Sequence, residues 1–278
     1  MPIGKLARDA GNLLKHRSVW GGSQNFLGAG WVERVIDNAP AVARERIALR
    51  FLSLSPHYFY DRDLVAESAR NRRSRQALAD ELVGPYLTAD ARVLDYGCGP
   101  GYLAAAVAGK AAHVAAVDIS RGVLACARTL NGRPNIAYQT PEEFRVGGGS
   151  VDVAYSFAVV QHLRTDALER ALRLLAAAVR PGGALLLHFA EAGNGWRTED
   201  QWLADDSLAG RARLRYGLNC FGRSATEMVD LVTRAGFTDA TAGPLTGSLA
   251  IPGEDITEQH LLTARRALVS SQNAVAIT

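Results

Sequence analysis

The stretch that decides the fold is Val93-Leu94-Asp95-Tyr96-Gly97-Cys98-Gly99-Pro100-Gly101-Tyr102. Its apolar start predicts a buried strand, and the three alternate glycines predict a turn that opens a helix near Tyr102. Glycines let a backbone approach a ligand closely, and the N-terminus of the following helix presents unpaired N–H groups to it. The segment therefore predicts a strand, turn and helix that together bind a small molecule.

Two nucleotide-binding motifs fail at this turn. The dinucleotide fingerprint G-x-G-x-x-G requires a sixth-position glycine, which is Tyr102 here. The phosphate-binding loop G-x-x-x-x-G-K-[ST] requires a Lys-Ser/Thr pair, and none follows the glycines.

Downstream of this turn, short apolar runs alternate with segments that are typical of helices. The predicted strands are Ala91–Tyr96, Ala112–Val117, Asn135–Gln139, Val151–Phe157 and Ala184–Phe189. The predicted helices are Tyr102–Ala108, Arg121–Leu130, Thr165–Val179 and Ser224–Ala235. Such alternation predicts an α/β fold with a doubly wound, mostly parallel sheet. Two last strands, Thr238–Ala242 and His260–Arg265, complete seven and are expected to form an antiparallel hairpin, joined by a short loop, at the sheet edge.

Upstream, residues 1–85 predict a helical N-terminal extension to a domain that spans 86–278. Candidate helices are Trp31–Ala39, Val42–Leu54 and Asp63–Leu82, the last ended by Gly84-Pro85. The third helix carries the basic run Arg70-Asn71-Arg72-Arg73-Ser74-Arg75. This run is either a solvated helix face or a binding site, and the pattern alone leaves both open.

Composition excludes several classes of protein. The 278 residues are 48% hydrophobic and 21% charged, as in globular domains, and the net charge of +3 is too small to argue for nucleic-acid binding. Three cysteines without a CxxC pair favour neither a disulfide framework nor structural zinc. Because charges interrupt Met1–Trp20 and no apolar run is long enough to span a membrane, we expect a cytoplasmic protein without a membrane partner.

The decisive stretch resembles motif I, D-x-G-x-G-x-G, of the class I S-adenosylmethionine-dependent methyltransferases. Four further elements resemble that family in the same order: Val117-Asp118-Ile119-Ser120, Val151–Leu163, Val179–His188 and His260–Arg266. The resemblance covers about residues 86–268 and implies the Rossmann-like methyltransferase fold, an enzyme, and S-adenosyl-L-methionine as cofactor.

The resemblance also implies which residues hold the cofactor. Gly97, Cys98, Gly99 and Gly101 would lie under its methionine part, Asp95 would hold its amino group, Asp118 its ribose hydroxyls, and Ile119 its adenine face. Phe157 belongs to the fourth-strand motif on the same edge. Related enzymes use an arginine before the first strand for the cofactor's carboxylate, and Arg72 and Arg75, three apart on one helix face, are the candidates.

The adenine-binding segment departs from the family pattern. Tyr138–Phe144 occupies the place of G-D-A-x-x-L, but Thr140 stands where Asp is usual and Pro141 where Ala is common. Glu142 is then the candidate for the polar contact to the adenine amino group.

Three residues are candidates for catalysis. His162 follows strand four and His188 ends strand five, so both are expected at the ligand-binding edge, where either is a candidate general base. His162 has a structural alternative, since this histidine caps a helix or packs against the cofactor in many relatives. Glu191 is expected to orient His188 or to bind the acceptor. Ser156-Phe157 stands where metal-dependent relatives carry acidic ligands, so no metal is predicted.

The acceptor is only hinted at. Trp196 and Trp202 lie in a long insert, Gly193–Phe221, that is expected to roof the acceptor pocket. They either stack on a sugar or planar ring or form a local core. The first hypothesis is O-methylation of a hydroxyl on a small molecule, with a saccharide or glycosylated metabolite as the first candidate. The alternatives are N-methylation of a small amine and a non-catalytic cofactor-binding or assembly protein.

Overall fold

The computed structural model describes residues 29–53, 63–144, 150–193, 196–216, 219–245 and 259–268. Seven strands form one sheet in the order β3-β2-β1-β4-β5-β7-β6. Their bounds are β1 Arg92–Tyr96, β2 His113–Val117, β3 Ile136–Gln139, β4 Val151–Ser156, β5 Val179–Ala190, β6 Phe237–Pro244 and β7 Gln259–Arg266. Strands β1 to β5 are parallel, and β7 runs antiparallel to both β5 and β6. The predicted doubly wound, mostly parallel sheet is therefore confirmed.

Helices cover both faces of this sheet. They are α1 Ala29–Asp37, α2 Ala41–Leu52, α3 Leu64–Leu78, α4 Tyr102–Val107, α5 Arg121–Asn131, α6 Thr165–Ala178, α7 Glu199–Leu203, α8 Leu208–Tyr216 and α9 Ala225–Arg234. A π-helical turn, Ala79–Val83, and a 3-10 turn, Gly84–Tyr86, continue α3 up to the predicted Gly84-Pro85 stop. Within the described residues no helix combines the length and apolar character needed to cross a membrane.

Alternation along β5 divides the core into two layers. Leu185, Leu187 and Phe189 are buried against α6 and α9 on one face. Ala184 and Leu186 are buried on the other face, with Leu78 of α3 and Leu103 of α4. Because successive strand residues point to opposite faces, His188 lies on the α3–α4 face of the sheet.

The first two described helices of the N-terminal extension, α1 and α2, pack on the flank of α5. Val32 and Ile36 of α1 and Leu52 of α2 form a separate apolar cluster with Val123 and Cys126. Residues 1–28 and 54–62 lie outside the described residues, so the predicted domain boundary near residue 85 stays a prediction.

Two details of the strands differ from the sequence-based expectation. Strand β5 begins at Val179, ahead of the Pro181-Gly182-Gly183 turn, and its pairing with β4 shifts register between Val151 and Val153. This bulge accommodates the turn inside the strand, where Arg180 bonds Asp152. The connection between β6 and β7 runs from residue 245 to 258 and is therefore longer than the short loop that we expected.

Candidate active site

The strand order reverses between β1 and β4, since β2 and β3 lie on one side of β1 and β4 and β5 on the other. In open α/β sheets, ligands bind at the carboxyl ends of the strands beside such a reversal. Ser156, the last residue of β4, donates from its hydroxyl to the Tyr96 carbonyl at 2.7 Å and ties the two strand ends together. The predicted site residues are located around this point.

The glycine turn is shaped by its neighbours. Gly97, Gly99 and Gly101 have φ values of 81°, 51° and 78°, which favour glycine. A Cβ at Gly97 would lie 2.3 Å from a methyl group of Val159, and one at Gly101 would lie 2.3 Å from the Tyr138 hydroxyl. At Gly97 and Gly101, packing of the turn against Val159 and Tyr138 therefore already requires glycine, in addition to any approach of a ligand.

Asp95, the penultimate residue of β1, has a buried carboxyl group whose Oδ2 has no hydrogen-bond partner. The Tyr155 hydroxyl lies beside it. Burial, together with the nearby charge of Asp118, raises the pKa of Asp95 to about 8. An unpaired buried carboxyl oxygen is costly, so this position suits a cationic ligand group such as the amino group of the cofactor.

Asp118 follows β2 and already binds the glycine turn. Its Oδ2 accepts from the Gly99 N–H at 3.0 Å and its Oδ1 from the Ser120 N–H at 2.9 Å. A carboxylate has about four acceptor positions, so two remain for further donors, and the predicted contact with the ribose hydroxyls stays a prediction. Ile119 beside it is 70% exposed, which is unusual for a large apolar side chain and suits contact with a flat ring.

The segment after β3 forms a turn closed by Thr140 and Glu143. The Thr140 N–H donates to Glu143 Oε2 at 2.9 Å, and the Glu143 N–H donates to the Thr140 hydroxyl at 3.3 Å. Glu142, which we predicted as the polar contact, is exposed, and Pro141 is half-buried. The adenine role of these residues remains a prediction, while the structure gives Thr140 and Glu143 a role in shaping the turn.

Cys98 is buried inside the glycine turn. Its N–H donates to the Val117 carbonyl at 3.0 Å. Burial raises the pKa of its thiol well above the usual value, which opposes formation of a thiolate. Cys98 is therefore suited to packing and to backbone contact with the cofactor.

His188 supports the loop that follows β4. Its Nδ1 accepts from the Ala158 N–H at 3.1 Å, and its ring stacks on Phe157 with centroids 6.0 Å apart. Ala158 has a φ of 59°, an uncommon conformation for a non-glycine residue that this hydrogen bond helps to hold. His188 is fully buried, and burial together with the charge of Arg75 lowers its pKa to about 3. A neutral imidazole of such low basicity is a weak general base.

His162 lies where a base would be useful. It ends the 3-10 turn Val160–His162 after β4 and is half-buried. Its Nδ1 is 3.4 Å from the Asn219 carbonyl and 3.5 Å from the Cys220 sulfur. A proton on Nδ1 that donates to the carbonyl places the basic lone pair on Nε2.

Glu191 pairs with His260, not with His188 as we expected. Its Oε2 lies 3.0 Å from His260 Nε2. The difference arises because Glu191 lies just beyond the end of β5, where the pairing of Phe189 with His260 brings the His260 side chain to the face opposite to that of His188. Arg223, buried nearby, donates to the carbonyls of Val160 and Leu163 and joins the end of the insert to the 3-10 turn.

The two arginine candidates have different surroundings. Arg72 is exposed and donates to the Leu130 carbonyl at 3.1 Å, at the end of α5. Arg75 is half-buried, and its charge acts on His188 at the edge of the sheet. Only Arg75 is thus directed by the fold towards the site, and the role in binding the cofactor's carboxylate remains a prediction.

The two tryptophans of the insert are engaged within it. Trp202 is 9% exposed, donates from its indole N–H to the Cys220 carbonyl at 2.7 Å, and lies under the guanidinium of Arg197. Trp196 is half-buried and packs where Gly222 passes close by. These contacts favour the local-core interpretation over a stacking surface for a sugar.

Sequence reasoning missed two residues of this region. Ala158 has no special sequence signal, since its φ becomes visible only in the folded chain. Gln259 lies one residue before the predicted start of the last strand and was not considered. In the described part of the chain, no group of three or more His, Cys, Asp or Glu side chains is arranged to hold a metal ion.

A sheet of this order, with a glycine turn after its first strand and an acidic residue after its second, defines the class I methyltransferase fold. A sequence profile described as a methyltransferase domain matches residues 66–242, which is more than half of the chain. The chain therefore belongs to the family of S-adenosylmethionine-dependent methyltransferases, which are enzymes.

Two curated proteins show the range of relatives. Malonyl-[acyl-carrier protein] O-methyltransferase of Enterobacter lignolyticus is 30% identical over 167 residues, which are 60% of this chain and 62% of that protein. A probable S-adenosylmethionine-dependent methyltransferase of Mycolicibacterium smegmatis is 34% identical over 97 residues, 34% of this chain and 36% of that protein. The chain thus matches less than two thirds of the length of either relative.

Solved structures share the fold at low sequence identity. Phosphoethanolamine N-methyltransferase 2 of Haemonchus contortus, solved with S-adenosyl-L-methionine, matches with a TM-score of 0.53 at 16% identity. The match covers 69% of this chain and 52% of that chain. A methyltransferase of Methanosarcina mazei matches with a TM-score of 0.52 at 19% identity, over 68% of this chain and 98% of that chain. These likenesses show the fold alone.

Proposed function

We propose that the chain is an S-adenosylmethionine-dependent methyltransferase that methylates an oxygen atom of its acceptor. The observation that carries the proposal is the buried, unpaired Asp95 Oδ2 at the strand-order reversal. A cationic group is the ligand that this oxygen lacks, and the cofactor offers its ammonium group. Asp118 and the exposed Ile119, at the end of the neighbouring strand, suit the ribose and the adenine of the same molecule.

The cofactor supplies a methyl group on a positively charged sulfur. The protein's part is to align the acceptor behind that group and to exclude water. Arg75 or Arg72 would bind the cofactor's carboxylate, and the turn of Thr140, Pro141 and Glu142 would border the adenine. Phe157, nearly buried beside His188, would form an apolar wall of the site.

His162 is the residue we favour as general base for a hydroxyl acceptor. Its neighbour Asn219 offers a carbonyl to Nδ1, which leaves Nε2 as the proton-accepting atom. His188 is better suited to positioning, because it holds the Ala158 N–H and is neutral at every pH near 7. Glu191 would act only through His260, to which it is paired.

The acceptor class is less constrained. A saccharide hydroxyl was the first hypothesis, but Trp196 and Trp202 are engaged inside the insert and give it no direct support. The curated relative of 30% identity is named for O-methylation of a malonyl group on an acyl carrier protein, which favours oxygen over nitrogen. An oxygen acceptor on a small or carrier-bound metabolite is therefore our proposal, and the amine acceptor is the alternative.

Calorimetry with S-adenosylmethionine and with its demethylated product tests the proposal. The wild-type protein should bind both, and Asp118→Ala should weaken binding about 10–100-fold, because it removes a charged hydrogen-bond acceptor whose loss, after water compensates, costs about 1.5–3 kcal/mol in total. Asp166→Ala is the matched control, since this carboxylate is exposed on α6 and pairs with Arg170. Binding of neither compound by the wild-type protein would contradict the proposal. Release of the demethylated product with hydroxyl, carboxylate and amine acceptors then identifies the acceptor atom.

A further inference from the structure

Gln259, the first residue of β7, is fully buried, and neither atom of its amide has a hydrogen-bond partner. It lies opposite Ala190 in the pairing of β5 with β7, while Leu261 lies opposite His188. Because side chains alternate along a strand, Gln259 and His188 share one face of the sheet. An unpaired buried amide is unfavourable unless a ligand completes it. The position of Gln259 at the ligand-binding edge of the sheet therefore indicates that its amide contacts a ligand.

The imidazole of His188 presents a second unpaired donor to the same space. Its Nδ1 accepts a hydrogen bond from Ala158, so the proton of the neutral ring is on Nε2. That Nε2 is buried and has no partner, although the Gln259 amide lies beside it. The Gln259 amide carries an acceptor oxygen as well as a donor, but it forms no hydrogen bond of normal geometry with His188, so the N–H groups of both side chains are available to a ligand.

The charge of this region is positive. Arg75 lies one helical turn before Leu78, which is buried on the same face of the sheet, so α3 directs Arg75 towards His188. Among the groups that act electrostatically on His188 within the described part of the chain, Arg75 carries a permanent positive charge, while His162 and His260 are positive only when protonated. None of them is negative, and the carboxylate of Glu191 is paired with His260. The region therefore favours an anion.

We propose that the methyl acceptor carries a carboxylate group, which binds between Gln259 and His188 beside Arg75, and that these residues determine specificity for acidic acceptors. A carboxylate has two coplanar oxygens that accept N–H groups from both side chains at once. Gln259 and His188 are positioning residues for the acceptor in this proposal. The inference rests on the proposed methyl transfer, since it assigns the group by which the acceptor is held.

Paired acceptors test this inference. Calorimetry on protein saturated with the demethylated cofactor would compare 4-hydroxybenzoate with 4-hydroxybenzamide, and 3-hydroxybutyrate with 3-hydroxybutyramide. In at least one pair the acid should bind ten-fold or more tightly than the amide. Gln259→Glu should abolish that preference, because it places a negative charge against the carboxylate. Equal affinity within each pair, or binding of neither member, overturns the inference.

Gln259→Met separates ligand recognition from a structural role. Methionine removes the unpaired amide but keeps a side chain of similar length, so the thermal midpoint should stay the same or rise while the preference for the acid is lost. A lower midpoint with an unchanged preference would show that Gln259 is structural and overturn the inference. Gln76→Met is the matched control, since Gln76 is exposed on α3. Cofactor affinity, measured on each variant, tells failure of this inference from failure of the methyltransferase proposal.

Discussion

The chemistry of His162 depends on which of its two possible roles the surroundings permit. Its contacts with Asn219 and Cys220 join the turn after β4 to the insert, which is a structural role. The same contact with the Asn219 carbonyl leaves Nε2 as the basic atom, which is a catalytic role. A substitution of His162 would lower turnover if its role is catalytic, and stability or cofactor affinity if its role is structural.

His162→Ala should lower turnover of a hydroxyl acceptor about 10²–10⁴-fold while cofactor affinity stays within a few-fold, because only proton transfer is lost. Steady-state turnover and calorimetry on the same preparation measure the two effects. His113→Ala is the control, since His113 begins β2 at the opposite edge of the sheet. A loss of stability or cofactor affinity with little change in turnover would assign His162 to structure. Turnover would then need no base, as expected for a carboxylate or amine acceptor.

For single residues, the sequence predicted the place in the fold better than the side chain that each residue contacts. Asp95, Asp118 and His162 were predicted at the edge because each lies near the carboxyl end of a predicted strand, and the structure places all three near such ends. The partner of Glu191 was predicted wrongly, since His260 lies 69 positions along the chain and only the pairing of β5 with β7 brings it near. Gln259 had no signal, because a lone glutamine beside a strand is common on surfaces.

The glycine turn is the element on which the site depends most. Its N–H groups bind both Val117 and Asp118, so its conformation fixes the distance between the ends of β1 and β2. Gly97 is its most restricted position, because it combines a φ of 81° with close contact to Val159.

Gly97→Ala should destabilise the protein by about 2–5 kcal/mol, which combines the cost of a left-handed conformation for alanine with overpacking against Val159. Urea denaturation measures the change. Gly243→Ala is the matched control, because Gly243 lies in the edge strand β6 and a Cβ there has no atom within 4 Å. That control should change stability by no more than about 0.5 kcal/mol. Equal effects of the two substitutions would contradict the packing argument.

At the scale of the whole molecule, alternation of strands and helices was enough to predict the sheet. The mostly parallel sheet was predicted correctly, whereas its strand order becomes visible only in the folded chain. The last two strands are antiparallel as predicted, although the short loop assumed for that prediction is a longer connection. The packing of α1 and α2 on α5 was not predictable, because the apolar stripe of an amphipathic helix does not say which surface covers it. The bulge in β5 was hidden for a similar reason, since Pro181-Gly182-Gly183 equally signals a turn outside a strand.

The sheet edge also couples the stability of the whole chain to pH, through two buried groups with opposite shifts. The pKa of Asp95 is raised by burial from 3.8 to about 8, so its favourable contribution is complete below about pH 4 and is lost as the pH rises to about 8. The pKa of His188 is lowered by burial, and by the charges of Arg75, His162 and His260, from 6.5 to about 3. Its contribution is complete above about pH 6.5 and is lost as the pH falls towards 3.

Replacement of each group should therefore change a different arm of the stability profile. Relative to the wild-type protein, Asp95→Asn should gain free energy of unfolding progressively between about pH 4 and 8, because the buried amide does not ionise. His188→Gln should lose less stability than the wild-type protein as the pH falls below about 6.5. Urea denaturation at half-unit steps of pH measures both curves, and parallel profiles for the three proteins would contradict the assigned shifts. Asp95→Asn also removes the carboxylate that we propose holds the cofactor's amino group. At neutral pH this variant should therefore be more stable than the wild-type protein and should bind S-adenosylmethionine less well.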